Sequence, residues 1–455
     1  MARLGLITAI REDITIPVEA VMKRVASNLG PMYLASYLEK MGVPIEVIIK
    51  DRLEDLEPYA PEILGISSLT ENIEHAKSLA RVARQKWNPI TVLGGAHLTA
   101  LPKALPKEFD VGVVGEGEET ICDLVRLFLR DRSLSPEDLK AIPGIVFHTP
   151  KGVWQTPIRK GIDPLDSIPP PDRRKYVKKI GLTHMMTSRG CPYTCDFCVI
   201  PNISEGYRKH SPAYVVEELK SIKSAFPHVR HIKIFDDLFV VDRRRVHEIA
   251  NLVAAEGLNK EFSFGCWVRA NLVDDAVLDS FQKMNMLYAA FGAESGSSRV
   301  LSQIKPGCSL EDNQRTIDRL YDRGILVECS VILGHPLETE ADLWATYEFL
   351  EKNFDKIYDV EMNTAIPWPG SEFWERAKAR GIVNENMDFN ILKEYVQLVN
   401  YSTEEYPYLN EKIPSERFDK ILISFKKLYW KWAKRNLASG EYKVMNTEEG
   451  IARHY

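Results

Sequence analysis

The sequence predicts an α/β protein made of two successive parallel-sheet units, a doubly wound N-terminal layer and an open partial barrel of six βα units, followed by a small helical cap. Three observations lead there. Short β-branched runs alternate with helix-length stretches from residue 1 to about 130, a proline-rich segment breaks that rhythm, and six further strand–helix alternations follow it.

In the first unit the strand candidates are Arg3 to Thr8, Ile45 to Ile49, Ile63 to Ile66, Ile90 to Leu93 and Val111 to Val114. Helix candidates between them are Pro31 to Met41, entered through Asn28-Leu29-Gly30, and Glu71 to Trp87, entered through Ser68 and Thr70. Five strands wound this way make a nucleotide- or cofactor-binding layer. The segment Ile142 to Tyr176 carries Pro143, Pro150, Pro157, Pro164 and Pro169-Pro170-Pro171, and reads as a linker with a small hairpin. In the second unit strands fit Leu182 to Thr187, His231 to Phe235, Phe262 to Val268, Tyr288 to Gly292, Leu326 to Leu333 and Val360 to Ala365. Helices fit Pro212 to Ala225, Arg243 to Ala255, Asp274 to Met284, Leu310 to Arg323 and Glu340 to Lys352. Six such units are too few for a closed eight-fold barrel, so an open one is expected, with active groups at the C-terminal strand ends.

Composition narrows the function classes. The 455 residues hold 59 Lys plus Arg against 64 Asp plus Glu, a net charge of −5, so no nucleic-acid-sized positive field is expected. At 45% hydrophobic and 27% charged the chain is an ordinary globular one, which excludes dominant disorder. Only the weakly apolar Leu4 to Ile10 separates Arg3 from Arg11, too short for a signal peptide, and no apolar run of about 18 residues follows. The expectation is a cytoplasmic protein without a transmembrane segment. Its seven cysteines then stay reduced, with metal ligation as one role.

Three of those cysteines lie in Ser188-Arg189-Gly190-Cys191-Pro192-Tyr193-Thr194-Cys195-Asp196-Phe197-Cys198, directly after a predicted strand. One loop so spaced can wrap three corners of an iron–sulfur cube. A zinc site would want a fourth ligand, and neither His184 nor His210 completes a familiar spacing. Thiol redox work would need only Cys195 and Cys198, and the third cysteine upstream fits that poorly. Three ligands around four irons leave one iron open to a chelating cosubstrate.

At these residues the chain strongly resembles the radical S-adenosylmethionine (SAM) superfamily. The resemblance implies that Cys191, Cys195 and Cys198 hold a 4Fe-4S cluster whose open iron takes the amino and carboxylate groups of SAM, and that reductive cleavage gives a 5′-deoxyadenosyl radical. Phe197 matches the aromatic position whose backbone lies near the adenine. Asp236 and Asp237, in Ile234-Phe235-Asp236-Asp237-Leu238-Phe239, match polar groups set against the methionyl amine. Glu294, in Phe291-Gly292-Ala293-Glu294-Ser295-Gly296, matches a carboxylate that accepts both ribose hydroxyls, with Ser295 beside it. Leu333, in Val331-Ile332-Leu333-Gly334-His335-Pro336-Leu337-Glu338-Thr339, belongs to the adenine-side segment. Arg269 and Lys305 are the cations expected to neutralise the methionine carboxylate.

The N-terminal unit resembles a cobalamin-binding domain. Ser67-Ser68-Leu69 follows the third strand and Gly94-Gly95 the fourth, with 24 residues between Leu69 and Gly94. Small hydroxyl and glycine residues there let a bulky ligand tail lie against the sheet edge. Gly115-Glu116-Gly117-Glu118-Glu119-Thr120 is similar to the GEGE segment of cobalamin-dependent radical enzymes. The DxHxxG element carried by the cobalamin domains of methionine synthase and the mutases is missing, as in many radical-enzyme relatives, because no histidine precedes His75. The resemblance therefore implies base-off cobalamin without a histidine lower ligand, with Leu69 or Thr70 facing that side of the corrin. His97 is expected as a tail contact or surface residue rather than a ligand.

The resemblance spans nearly all of residues 1–390. It implies a Rossmann-like cobalamin domain over 1–140, a linker over 141–180, a radical SAM partial TIM barrel over 181–390 and a helical cap over 391–455. The expected activity is C-methylation of an unactivated carbon in a small molecule or peptide, by a monomer served by a reductant such as flavodoxin or ferredoxin. Cyclisation or ring rearrangement with the same cofactors is the alternative, and a non-catalytic cobalamin-binding regulator a more distant one. A methylthiotransferase would need three more cluster ligands before Cys191, where only Cys122 stands. Cys122, Cys266, Cys308 and Cys329 are expected in the core. In the cap, Ile421, Phe425, Leu428 and Trp432 recur at helical spacing opposite Lys427, Lys431 and Lys434, the pattern of a docked amphipathic helix with a basic outer face. Trp368, Trp374, Tyr395, Tyr401, Tyr406 and Tyr408 give the cap and barrel mouth an aromatic character.

Overall fold

The computed structural model describes residues 1–10, 29–176, 183–392 and 403–439. Asn28, Leu182, Tyr395 and Tyr401 lie outside them. The chain divides into two compact units, residues 1–180 with 202–205 and 384–390, and residues 181–201 with 206–383 and 391–455.

In the first unit the described strands are β1 (Arg3–Thr8), β2 (Glu46–Ile49), β3 (Ile63–Ser67), β4 (Ile90–Gly94), β5 (Val111–Val113), β6 (Ile145–Thr149) and β7 (Gly152–Gln155), in the order β2-β1-β3-β4-β5-β6-β7. The pairs from β2 to β5 are parallel. Helices α1 (Leu29–Lys40), α2 (Ile73–Lys86), α3 (Ala96–Ala100) and α4 (Glu118–Asp131) supply the crossovers. The apolar runs that predicted the strands are the core: Leu4, Leu64, Leu93 and Val111 are fully buried. The hairpin expected inside a linker proves to be the antiparallel edge of this sheet, with Val111 opposite Phe147 and Phe147 opposite Trp154. Its apolar half, Ile145, Val146 and Phe147, is buried, so burial drives the hairpin onto β5 despite the surrounding prolines.

In the second unit β8 (Thr183–Met185) leads into a short antiparallel pair, β9 (Ser188–Arg189) with β10 (Arg208–Lys209), which brackets the cysteine loop. The remaining strands, β11 (His231–Ile234), β12 (Ser263–Val268), β13 (Met286–Glu294), β14 (Leu326–Leu333) and β15 (Asp359–Thr364), complete a six-stranded sheet in the order β15-β14-β13-β12-β11-β8. Every pair in it is parallel, which gives the expected open (β/α)6 layer. Helices α5 (Pro212–Ala225), α6 (Arg243–Ala255), α7 (Asp275–Met284), α8 (Leu310–Asp322) and α9 (Glu340–Lys352) lie between the strands. Side-chain caps from Ser211, Asp242, Asp274 and Ser309 fix four of their starts. Helix α10 (Glu372–Ala379) follows β15, and α11 (Ser415–Ser439) buries Ile421, Phe425, Leu428 and Trp432 while exposing Lys427, Lys431 and Lys434. The four cysteines outside the loop are buried. Among the described residues no helix is long and apolar enough to cross a membrane.

Candidate active site: a cavity at the strand ends of the barrel

The cysteine loop is held by groups distant in sequence. Asp236, at the end of β11, accepts hydrogen bonds from Thr187 N at 2.5 Å, Thr187 Oγ1 at 2.6 Å and Ser188 Oγ at 2.6 Å. Asp237 accepts one from Gly190 N at 2.9 Å. Arg245, buried in α6, donates to His210 O at 2.8 Å and to Thr187 O at 2.5 Å, tying both ends of the loop. Further along, Asp196 N donates to Ile304 O at 3.0 Å, and Asp196 O accepts from Glu372 N at 2.9 Å at the start of α10.

The three thiols then line a cavity of about 360 Å³ at the C-terminal ends of the strands, together with Phe197, Asp237, Arg269, Glu294 and Lys305. Among the described residues no three His, Cys, Asp or Glu side chains converge on a single metal ion. The donor set is instead three thiols of one loop lining a space that holds many atoms, which suits a polynuclear cluster better than a mononuclear site. Burial pushes the Cys198 thiol up to about 12 and raises Cys191 as well, so thiolates here need a strong positive partner. Arg269 supplies one: its Nη1 lies 3.4 Å from Cys195 Sγ, and its guanidinium stacks 4.1 Å over the Tyr193 ring.

Glu294 sits where β13 departs from ideal geometry. Its φ is +63°, and the register with β14 shifts between Gly292 and Glu294. That bulge turns the carboxylate back over Gly292, where any side chain would overlap Glu294 Oε1. Lys305 Nζ pairs with Glu294 Oε1 at 3.1 Å and also donates to Gly292 O. The pair is nearly closed to solvent, with side chains 6% and 7% exposed, and it presents a fixed acceptor edge to the cavity.

The structure redistributes three of the expected site residues. Asp236 is buried and does not line the cavity; both its oxygens are used on Thr187 and Ser188, so it anchors the loop. Ser295 is also buried outside the cavity, with Oγ 3.2 Å from Thr346 Oγ1, because the bulge sends Glu294 inward and Ser295 behind it. Leu333 faces away, since the two-residue period of β14 gives the cavity Ser330 and Ile332 instead. Arg245 was not foreseen, and neither were Glu361, Asn363 and Thr364 of β15, which are among the residues lining the cavity, as are Trp267 and Trp368. The alternation Asp359-Val360-Glu361-Met362-Asn363 carried that signal, with polar residues at every second position of a strand. Of the other aromatic residues, Trp374 is core and Tyr408 donates to Ile413 O at 2.7 Å.

The first unit has a different kind of site. Ser67 and Gly94 are register partners at the C-terminal edge of β3 and β4. Open space lies beside Gly94 and Gly115. Gly95 has a φ of +103°, and a side chain on it would overlap the Ser68 backbone, so glycine is required for the close approach of the two loops. Ser68 and Thr70 are buried whereas Leu69 stands 47% exposed. Glu118 is buried at the start of α4, Gly117 caps that helix against Leu34, and Glu116 is half-buried. The result is a floor of small residues and backbone that suits the flat, bulky face of a corrinoid. His97 is not a surface residue. It is 2% exposed, with Nδ1 3.2 Å from Thr70 Oγ1 and its ring edge-on to Phe389 at 4.7 Å. Burial, with Lys77 adding to it, lowers its pKa to about 3 and keeps it neutral.

The B12 binding domain model matches residues 17–125, and the Radical SAM superfamily model matches residues 185–350. The chain belongs to the cobalamin-dependent radical SAM enzymes. An uncharacterized methyltransferase of Pyrococcus horikoshii is 29% identical over 390 residues, covering 81% of this chain and 83% of the relative. The anaerobic magnesium-protoporphyrin IX monomethyl ester cyclase of Rubrivivax gelatinosus is 28% identical, covering 77% of this chain and 67% of its own. The fold is that of the radical SAM methyltransferase TsrM of Kitasatospora setae, solved with cobalamin and a 4Fe-4S cluster, at a TM-score of 0.69 and 16% identity over 94% of this chain and 89% of that one. The cofactors of this radical SAM enzyme are a 4Fe-4S cluster, SAM and cobalamin.

Proposed function

We propose that the enzyme transfers a methyl group to an unactivated carbon. The observation that carries this reading is the cavity in which three loop cysteines meet the Glu294–Lys305 pair and Arg269, within a chain that also has a corrinoid-binding unit. With its cofactors bound, the cluster supplies the electron that cleaves SAM and the corrinoid supplies the methyl group.

The chain's own residues have separable tasks in this reading. Cys191, Cys195 and Cys198 bind the cluster, and Arg269 offsets the negative charge gathered at Cys195. Glu294 accepts from the ribose hydroxyls, fixed for that task by Lys305, while Phe197 borders the adenine. Asp237, held to Gly190, faces the amino end of the bound SAM. Asp236 and Arg245 position the loop without touching SAM. In the other unit Ser67, Ser68, Leu69, Thr70, Gly94 and Gly95 border the corrinoid tail, with Gly115, Glu116, Gly117 and Glu118 beside it. Leu69, as the exposed member, covers the lower corrin face, and His97 acts through Thr70. The enzyme works as a cytoplasmic monomer that takes electrons from flavodoxin or ferredoxin.

The relatives named methyltransferases favour methylation, and the cyclase relative favours a second reading in which the same cavity serves ring formation without methyl transfer. The two readings separate in one experiment. The reconstituted enzyme, SAM labelled in its methyl group, a reductant and extract of the source organism are combined without oxygen. Methyl transfer predicts a product heavier by the labelled methyl; 5′-deoxyadenosine without a labelled product would favour cyclisation or rearrangement.

A further inference from the structure

Helix α11 has two faces, and the fold uses the inner one. Ile421, Leu422, Phe425, Leu428 and Trp432 are buried. Phe418 occupies the space that a side chain at Gly334 would need, Trp432 Nε1 donates to Ile357 O at 3.1 Å, and Arg435 donates to Ile357 O at 2.9 Å and Tyr358 O at 2.7 Å. The helix is thereby fixed along its length, from the loop after β14 to the loop before β15.

The outer face has a different character. Lys420, Ile423, Lys427, Trp430 and Lys434 are all exposed and follow one another at steps of three and four residues, so they form a single row. At about 1.5 Å per residue that row is about 21 Å long. Ile423 and Trp430 are each 51% exposed. Lys431 stands beside the row, with Nζ 3.9 Å from Glu351 Oε1. Lys420, Lys427 and Lys434 make no ion pair among the described residues. The charged residues of 420–439 are Lys420, Lys426, Lys427, Lys431, Lys434 and Arg435, without one acid among them, in a chain whose net charge is −5.

Two features of the row choose its occupant. Packing on the barrel accounts for neither Ile423 nor Trp430, and a rigid helix that holds large apolar side chains in water marks a contact surface. Tryptophan favours the boundary between an apolar and a polar layer, which a bilayer provides at its headgroups. Lysines interleaved with such residues lay their stems along the apolar zone and keep their ammonium groups among the headgroups, and their uniform sign selects an anionic surface. A nucleic acid would engage the lysines and leave Ile423 without a counterpart.

We propose that the outer row of α11 docks the enzyme on a bilayer containing anionic phospholipid. Trp430 and Ile423 enter the headgroup layer, while Lys420, Lys427, Lys431 and Lys434 meet the lipid phosphates. The contact is peripheral, with the helix lying in the plane of the surface. It is independent of which reaction the barrel carries out.

The test uses the full-length enzyme loaded with its cluster and cobalamin, kept free of oxygen. Its sedimentation is followed with vesicles of phosphatidylcholine alone and of phosphatidylcholine with an equal part of phosphatidylglycerol. Binding to the anionic vesicles should be at least about ten-fold tighter, and should weaken by about ten-fold or more between about 0.1 M and about 1 M salt. Lys427→Gln, Lys431→Gln and Lys434→Gln combined should lower that affinity by at least about ten-fold, and Trp430→Ser by about five-fold or more. These substitutions change only exposed side chains, so iron content and the thermal midpoint should match the parent and separate docking from folding. The fluorescence difference between the parent and Trp430→Phe should shift to the blue on the anionic vesicles. Equal affinity for both vesicles, binding to neither, a variant that binds as the parent does, or binding to polyuridylate as tight as to the anionic vesicles would overturn the proposal.

Discussion

The two cofactor sites of this chain are built on opposite principles. At the barrel end, charged side chains from β11, β12, β13 and the helix after it converge on one cavity, and each is fixed by a named partner: Asp237 by Gly190, Arg269 by Tyr193, Glu294 by Lys305. At the edge of the first sheet the construction is subtractive, with open space beside Gly94 and Gly115, a glycine at 95 that no other residue can replace, and a histidine turned inward onto Thr70. The lesson is that a small charged ligand is recognised by placed groups, whereas a large flat one needs side chains taken away. Substitutions that delete a group should therefore injure the barrel site most, and substitutions that add one should injure the first unit most.

The largest effect expected is from Cys195→Ala, which should remove the cluster and with it SAM cleavage; iron content and 5′-deoxyadenosine formation report both. Undiminished cleavage would break the account of the barrel site. Next, Gly95→Val should lower corrinoid affinity by more than about ten-fold, since it adds strain of about 1–3 kcal/mol at a positive φ and an overlap with Ser68. Absorbance of bound corrinoid measures it, and iron content should be unchanged. A variant that binds corrinoid normally would show that the close approach of these loops is not needed.

Glu294→Gln should be milder. Weakening a hydrogen bond to a charged group costs about 1.5–3 kcal/mol, so SAM affinity should fall by roughly ten-fold or more with the cluster intact. Unchanged affinity in equilibrium binding would remove Glu294 from the ribose. The smallest effect concerns His97. Its folded pKa, lowered to about 3, lies below the ordinary value near 6.5, so the unfolded chain binds the extra proton first as pH falls. Stability is then lost on acidification below about 6.5, by about 1–2 kcal/mol at pH 5. Urea unfolding at pH 7 and pH 5 should show that slope reduced in His97→Gln; an unchanged slope would place the ring in solvent.

Much of this was legible because it is local. Strand β14 runs from Leu326 to Leu333 as its β-branched pattern predicts, α5, α6 and α9 begin and end at the residues expected from the strand–helix alternation, and three cysteines in eight residues announce a cluster loop. What the sequence hid depends on direction and distance. Adjacent Asp236 and Asp237 look equivalent in one dimension, yet one is spent on Thr187 and Ser188 while the other reaches the cavity. Glu294 and Ser295 exchange faces at a bulge that no local pattern announces. Lys305 could be foreseen as a cation near the site, but not that Glu294 would hold it. Arg245 ties the loop through backbone carbonyls that leave no sequence trace. The hairpin joined the first sheet because its apolar residues found β5, a choice made by tertiary burial over the local signal of the prolines.

The contrast between a site of placed groups and a site of removed ones is tested most directly at the cobalt. If the first unit offers the corrin only small residues, backbone and Leu69, with His97 neutral and bonded to Thr70, then no protein nitrogen reaches the lower axial position. Electron paramagnetic resonance of the protein loaded with cob(II)alamin should give a base-off spectrum without lower-axial nitrogen splitting, in the parent and in His97→Gln alike. A nitrogen splitting in the parent that disappears in His97→Gln would contradict the account, because the first unit would then hold its cofactor by a placed side chain after all.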